Sequence, residues 1–413
     1  MIVNVASRLP AIARTTLILT LATLVIACRS ADHGPGLGHN GKSPPLSSIE
    51  KHKLPPLNSD FDQQTKAIRT FLSSHSMRQR TAQDIELNLP FEINANPDVP
   101  YRGRFLLFHG LNDSPYVWRD FARELAARGF DARAVLFEGH GSTPEAMLNV
   151  SYRDWLTTAR EHLDLWREDD IPLYLGGFSM GAVIATLLAL EQADIAGLLL
   201  VSPAYHSRLN HYLRWSGIYA RFKPWVFGGM ILEDNPIKYN SIPVNSGWQY
   251  YQLTKKLKRR WRKNKITIPT LMVNTRYDSV VDSDYVERVF NKRFVHPSRR
   301  LITYHEAPLP DSGEFQQYRD IANPGARIIN QSHLGVMYRP ENPLFGENGR
   351  VLVCNGNEYP VFIACMRARN HWFGAQHTES PDGTPVARTT YNPDFEGVVG
   401  DVEGVLKINK EYP

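Results

Sequence analysis

Between Gly103 and Tyr304, short apolar runs alternate with longer segments whose apolar residues return every three or four positions. Phe105–Phe108, Ala132–Phe137, Leu173–Leu175, Ile195–Val201, Pro269–Asn274 and Arg300–Tyr304 read as strands. Ser114–Arg128, Tyr152–Trp166, Met180–Leu190 and Ser283–Phe294 read as helices. In the second of these, Trp155, Ala159, Leu163 and Trp166 fall on one face, which should turn inward. Ser114 can cap the first, with Pro115 in a turn where its missing N–H does no harm. Continuous apolar strands separated by amphipathic helices predict a mostly parallel central sheet flanked by helices on both faces.

The alternation breaks at Pro203 and resumes at Pro269. The stretch between, about 204–266, is aromatic-rich and irregular, and its place between two late strands predicts a cap. Near its end Lys255–Lys265 reads K-K-L-K-R-R-W-R-K-N-K, eight basic residues in eleven. Leu253, Leu257 and Trp261 recur there every fourth residue, which predicts an amphipathic helix with the basic residues outward. That basic face is either a solvated surface or one drawn to anionic lipid head groups. Upstream, Asp60 can cap a helix carrying Ile68, Phe71 and Leu72 on one side. Residues 308–323 read as a loop, and 347–413 as an extension that packs on the main domain, with a last helix from Asp394.

The first residues change the picture. Residues 1–14 carry Arg8 and Arg14 and no acid; Thr15–Ala27 is an apolar run of 13, short for a bilayer span and right for a signal peptide. It ends in V-I-A-C, which resembles a bacterial lipobox. That resemblance implies that Cys28 becomes the lipidated first residue of the mature protein, with residues 1–27 removed, and places the protein in the bacterial cell envelope. An ordinary secretory signal beside an incidental cysteine is the alternative. Residues 28–60, rich in Gly, Pro and Ser, read as a flexible tether before a main domain spanning 61–346. An exported chain meets oxidising conditions, so Cys354 and Cys365 can pair as a disulfide or remain free thiols. With 42% hydrophobic residues, 22% charged and a formal charge of +5, the chain is globular and only mildly basic. Neither charge nor export suggests a nucleic-acid partner.

The chemistry centres on G-F-S-M-G, Gly177–Gly181. It joins a readable strand to a readable helix. Side chains two residues either side of a serine at so sharp a junction would strike the strand and the helix, hence the glycines. The bend exposes the hydroxyl at a helix N-terminus, where N–H groups favour developing negative charge. With F-H-G-L-N-D-S (Phe108–Ser114), E-G-H-G (Glu138–Gly141) and N-T-R-Y-D-S-V-V-D (Asn274–Asp282), the chain resembles the α/β-hydrolases, and within them the monoacylglycerol-lipase-like serine hydrolases. The resemblance covers residues 103–282 well and the ends poorly. It implies an α/β-hydrolase fold with a helical cap insertion, and a triad in the order serine, acid, histidine.

Ser179 would be the nucleophile and Asp278 the acid, with Asp282 the cap of the following helix; the two aspartates could exchange roles. His305 follows Asp278 by 27 residues but ends a strand; His333, which opens a new segment, is the choice for the base. The resemblance implies backbone oxyanion donors at Leu111 and Met180, and loop-holding roles for His109 and His140. Tyr212, Trp215, Tyr219, Phe222, Trp225 and Phe227 are expected to line or cover an acyl pocket, or to pack the cap. The whole implies a carboxylic ester hydrolase acting on small-molecule acyl esters or lipids, held at a membrane by its N-terminal lipid, and needing no metal or organic cofactor. Acyl transfer through the same residues, or an inert surface lipoprotein of the same fold, are the alternatives.

Overall fold

The computed structural model describes residues 53–76, 80–225, 235–239, 242–305, 313–354 and 359–406. The signal segment, Cys28 and Phe227 lie outside them. The frame is an eight-stranded sheet in the order β1-β3-β2-β4-β5-β6-β7-β8. Its strands are β1 (Phe91–Ile93), β2 (Gly103–Phe108), β3 (Phe130–Val135), β4 (Leu173–Phe178), β5 (Ile195–Val201), β6 (Thr270–Thr275), β7 (Arg299–Tyr304) and β8 (Gln316–Arg319). Every pairing is parallel except the antiparallel edge β1–β3. Central β4 is buried along its whole length, as a strand covered on both faces must be.

Helix α1 (Phe61–His75) starts at Asp60, which accepts the Gln63 N–H, and buries Ile68 and Leu72. A short α2 (Ala82–Glu86) precedes β1. The segment after Ser114 is a 3-10 turn, Pro115–Trp118, continued by α3 (Arg119–Ala127), so it is shorter than one regular helix. Helix α4 (Tyr152–Trp166) buries Trp155, Ala159, Leu163 and Trp166. Helix α5 (Met180–Glu191) is apolar almost all round and sits between the sheet and the cap.

Among the described residues the cap stretch holds two helices, α6 (Asn210–Tyr219) and α7 (Val244–Trp261), the second carrying the amphipathic stripe expected of Leu253, Leu257 and Trp261. Helix α7 buries Tyr250, Leu253, Leu257 and Trp261 against α5 and α4. Each such side chain taken from water contributes about 1.5–3 kcal/mol. The basic run is partly committed: Lys256 and Arg260 pair with Glu191, and Lys258 lies over the Tyr285 ring. Arg259, Arg262, Lys263 and Lys265 are exposed. On α6, Gly217 and Leu213 face α7, where a Cβ on Gly217 would stand 2.5 Å from Trp248. The opposite side carries Tyr212, Trp215 and Tyr219, and Phe222 follows just beyond the helix; all four are exposed by 49 to 80%. These rings therefore face solvent and do not pack the interior of the cap; Trp225 is half-buried.

Helix α8 (Ser283–Arg293) is capped by Asp282, which accepts the Tyr285 N–H. The region read as a loop, 308–323, contains edge strand β8, whose four residues are too few for their alternation to be seen. The extension holds α9 (Tyr359–Arg367), a two-stranded parallel sheet of β9 (Trp372–Gly374) and β10 (Val386–Arg388), and α10 (Phe395–Leu406), which packs on β5, β6 and β7. A disulfide joins Cys354 to Cys365. Among the described residues no helix is long and apolar enough to cross a membrane.

Candidate active site

Ser179 lies between the end of β4 and the first turn of α5, with φ +53° and ψ −113°. A β-carbon with positive φ is strained, and such strain persists only where the surroundings enforce it. The flanking glycines supply the room. A Cβ at Gly177 would stand 2.4 Å from the Ala182 backbone, and one at Gly181 would stand 2.0 Å from the Phe108 carbonyl oxygen. Helix and neighbouring strand thus press on the two glycines, and the bend has no other solution.

Ser179 Oγ lies 3.0 Å from Nε2 of His333, and Nδ1 of that ring lies 2.5 Å from Oδ2 of Asp278. The other carboxylate oxygen of Asp278 accepts the Val280 and Val281 N–H groups, both at 2.8 Å. Asp278 is fully buried and the His333 side chain is 14% exposed. A buried carboxylate held by two amides can hold a ring donor in one tautomer and balance a proton arriving on the far nitrogen. Asp282 is occupied as the α8 cap. His305, the alternative histidine, follows β7 directly, with its N–H on the Arg319 carbonyl and its ring beside Tyr277.

The loop after β2 lies against this serine: a Cβ on Gly110 would stand 3.3 Å from Ser179 Cβ. Two buried histidines hold it. His109 Nε2 accepts the Phe137 N–H, while its Nδ1 reaches the Gly110 carbonyl. His140 Nε2 accepts the Asn112 N–H, and its Nδ1 reaches the Glu138 carbonyl. Both rings must therefore be neutral with the proton on Nδ1. Burial agrees: it pushes His109 well below the usual imidazole value and His140 down to about 4. Leu111 follows Gly110 in this loop. Met180 opens α5, where the first N–H groups have no partner within the helix.

Three features escape sequence reasoning. Lys238, in the cap, reaches down to buried Asp113 in the same loop, Nζ to Oδ2 3.3 Å. Burial raises the Asp113 carboxyl and Lys238 opposes the rise. Arg80 ties the Gly141 and Lys238 carbonyls together from outside. Ser202, at φ +44° just past β5, donates its hydroxyl to the His333 carbonyl. All three are contacts between residues far apart in sequence and leave no local trace.

A family model described as Hydrolase_4, serine aminopeptidase S33, matches residues 100–235. The thermostable monoacylglycerol lipase of Bacillus sp. (strain H-257) is 24% identical over 189 residues, 45% of this chain and 74% of that protein. The carboxylesterase of Bacillus subtilis (strain 168) is 23% identical over 194 residues, 45% of this chain and 76% of its own length. Among solved structures, the monoacylglycerol lipase of Paleococcus ferrophilus is 16% identical with a TM-score of 0.41, covering 56% of this chain and 87% of that one. The mostly parallel sheet with a serine at a sharp strand-to-helix bend has the arrangement of an α/β-hydrolase, and in sequence the chain is similar to monoacylglycerol lipases and a carboxylesterase.

Proposed function

We propose that the chain is a serine hydrolase that cleaves carboxylic esters through Ser179, His333 and Asp278. The relay of 3.0 and 2.5 Å contacts from Ser179 to Asp278 carries the reading. His333 takes the hydroxyl proton as Ser179 attacks the acyl carbon. Asp278 balances the imidazolium. The backbone N–H groups of Leu111 and Met180 receive the oxyanion, and the proton passes to the departing alcohol. Water, deprotonated by the same ring, then releases the acid and restores the serine.

The substrates are acyl esters of lipid type, monoacylglycerols or lysophospholipids, and the enzyme works at a membrane in the bacterial cell envelope. Cys28 carries the lipid anchor. The outer side of α6 supports this reading. Residues 206–225 hold Arg208, Arg214, Arg221 and Lys223 and no acid, around the exposed rings of Tyr212, Trp215, Tyr219 and Phe222. Apolar rings ringed by cations suit an anionic lipid surface.

The test is hydrolysis of p-nitrophenyl esters of graded chain length by wild type and by Ser179→Ala, His333→Ala and His305→Ala. Loss of turnover in the first two variants and near-normal turnover in the third is expected. Equal turnover by Ser179→Ala and wild type would overturn the proposal.

A further inference from the structure

The segment that delivers His333 is held by the C-terminal extension, residue after residue. Strand β9 begins the grip: the Phe373 N–H donates to the Arg327 carbonyl, and the Ile329 N–H donates to the Phe373 carbonyl, both at 2.8 Å. Next, Asn330 Oδ1 accepts the Ala375 N–H at 2.7 Å. Thr389 then makes a two-way clasp. Its Oγ1 donates to the Asn330 carbonyl at 2.6 Å, and its own carbonyl accepts Ser332 Oγ at 2.6 Å. Gln331 Nε2 donates to the Tyr391 carbonyl beyond it. Asn330, Gln331, Ser332 and Thr389 are all buried, Thr389 completely. The main domain contributes as well: Thr275 Oγ1 donates to the Gln331 carbonyl, and Ser202 Oγ to the His333 carbonyl.

Thr389 is itself anchored. Its N–H donates to the Gly374 carbonyl, and the neighbouring Arg388 N–H donates to the Val353 carbonyl. Val353 precedes Cys354, whose disulfide to Cys365 in α9 packs with Phe362 and Ala387 in one buried cluster. A continuous path of short contacts therefore runs from the disulfide through β10 and Thr389 to Asn330 and Ser332, just before His333.

We propose that Thr389 is a positioning residue for His333, and that the disulfide-stapled extension is a clamp holding the imidazole between Ser179 and Asp278. The inference rests on the assignment of His333 as the base. A buried hydroxyl that donates to one backbone carbonyl of another segment has one structural alternative, that it merely fills a hydrogen bond. The two differ in what is lost. A clamp sets where a ring nitrogen sits, so loosening it slows the chemical step and leaves substrate affinity alone; a misplacement of about 1 Å costs on the order of a hundredfold.

The test compares Thr389→Val, Thr389→Ser and, from the other side of the clasp, Ser332→Ala. Two readouts are taken on the full chain: kcat and KM for p-nitrophenyl butyrate, and the deshielded proton NMR resonance of the His333 Nδ1–H bound to Asp278, assigned by its loss in His333→Ala. Thr389→Val is expected to lower kcat roughly tenfold or more, keep KM within about twofold, and shift or broaden that resonance. Thr389→Ser, which keeps the donor, should restore both. Ser332→Ala should resemble Thr389→Val and serves if that variant does not fold. Wild-type kcat and an unchanged resonance in Thr389→Val or Ser332→Ala would overturn the clamp, as would a Thr389→Ser variant as impaired as Thr389→Val. The resonance reports the ring even without ester turnover, so failure of the esterase reading stays distinct from failure of the clamp.

Discussion

His140 offers a perturbation whose size follows from the structure. It is 1% exposed, and its Nε2 lone pair is spent on the Asn112 N–H of the loop beside Ser179. A proton on that nitrogen would displace the amide and charge a buried ring, which is why its value falls from 6.5 to about 4. In the unfolded chain the ring titrates near 6.5. Between those values the unfolded state binds more protons than the folded one, so stability is complete above pH 6.5 and declines as the pH falls towards 4. At pH 5 the unfolded ring is almost fully charged and the folded one about a tenth charged, a loss of about 2 kcal/mol from this group. His140→Gln keeps an acceptor for Asn112 and cannot titrate. Urea unfolding at pH 7.5 and pH 5.0 is the assay. The variant should lose about 2 kcal/mol less than wild type between the two conditions. Identical losses would refute the claim that His140 is held neutral in this loop. Buried His162, pushed down to about 3, adds a similar term common to both proteins and cancels in the difference.

Other outcomes follow from the same coordinates. Gly181→Ala drives a methyl against the Phe108 carbonyl, 2.0 Å away, and should yield protein that is insoluble or unreactive with a fluorophosphonate probe; a soluble, normally labelled variant would contradict the geometry at Ser179. Joint Cys354→Ser and Cys365→Ser replacement removes a cross-link between residues 11 apart and should cost about 3 kcal/mol, read by chemical denaturation. Trp215→Ser with Phe222→Ser removes two exposed rings and should weaken binding to anionic vesicles at least tenfold with turnover of soluble esters unchanged, measured by co-sedimentation.

The sheet was legible because its strands are buried on both faces and so read as unbroken apolar runs. Ile195–Val201 and Tyr152–Trp166 occupy the bounds their patterns predict. Edge strands lack that signature. β1 and β8 are short, half-exposed and mixed in composition, and pattern reading passed over both. The bend at Ser179 was legible because steric need leaves glycines at fixed spacing. The cap was legible only through α7, whose inner stripe is regular. Helix α6 is apolar on both its packed and its outward sides, and a hydrophobic pattern does not tell a side that faces protein from one that faces water.

The histidine shows where such reading ends. Spacing alone favours His305 as readily as His333. What separates them is the position of β8, since placing Gln316–Arg319 on the sheet edge returns the chain towards Ser179 before His333 is reached. The turn that follows is then shaped by partners 40 to 60 residues downstream, Ala375, Thr389 and Tyr391. A side chain fixed in this way leaves no periodicity around itself. The bend at Ser179 is local and self-sufficient, whereas the place of the base depends on a distant segment, so substitutions in 372–391 should reach the chemistry while leaving the nucleophile's own turn intact.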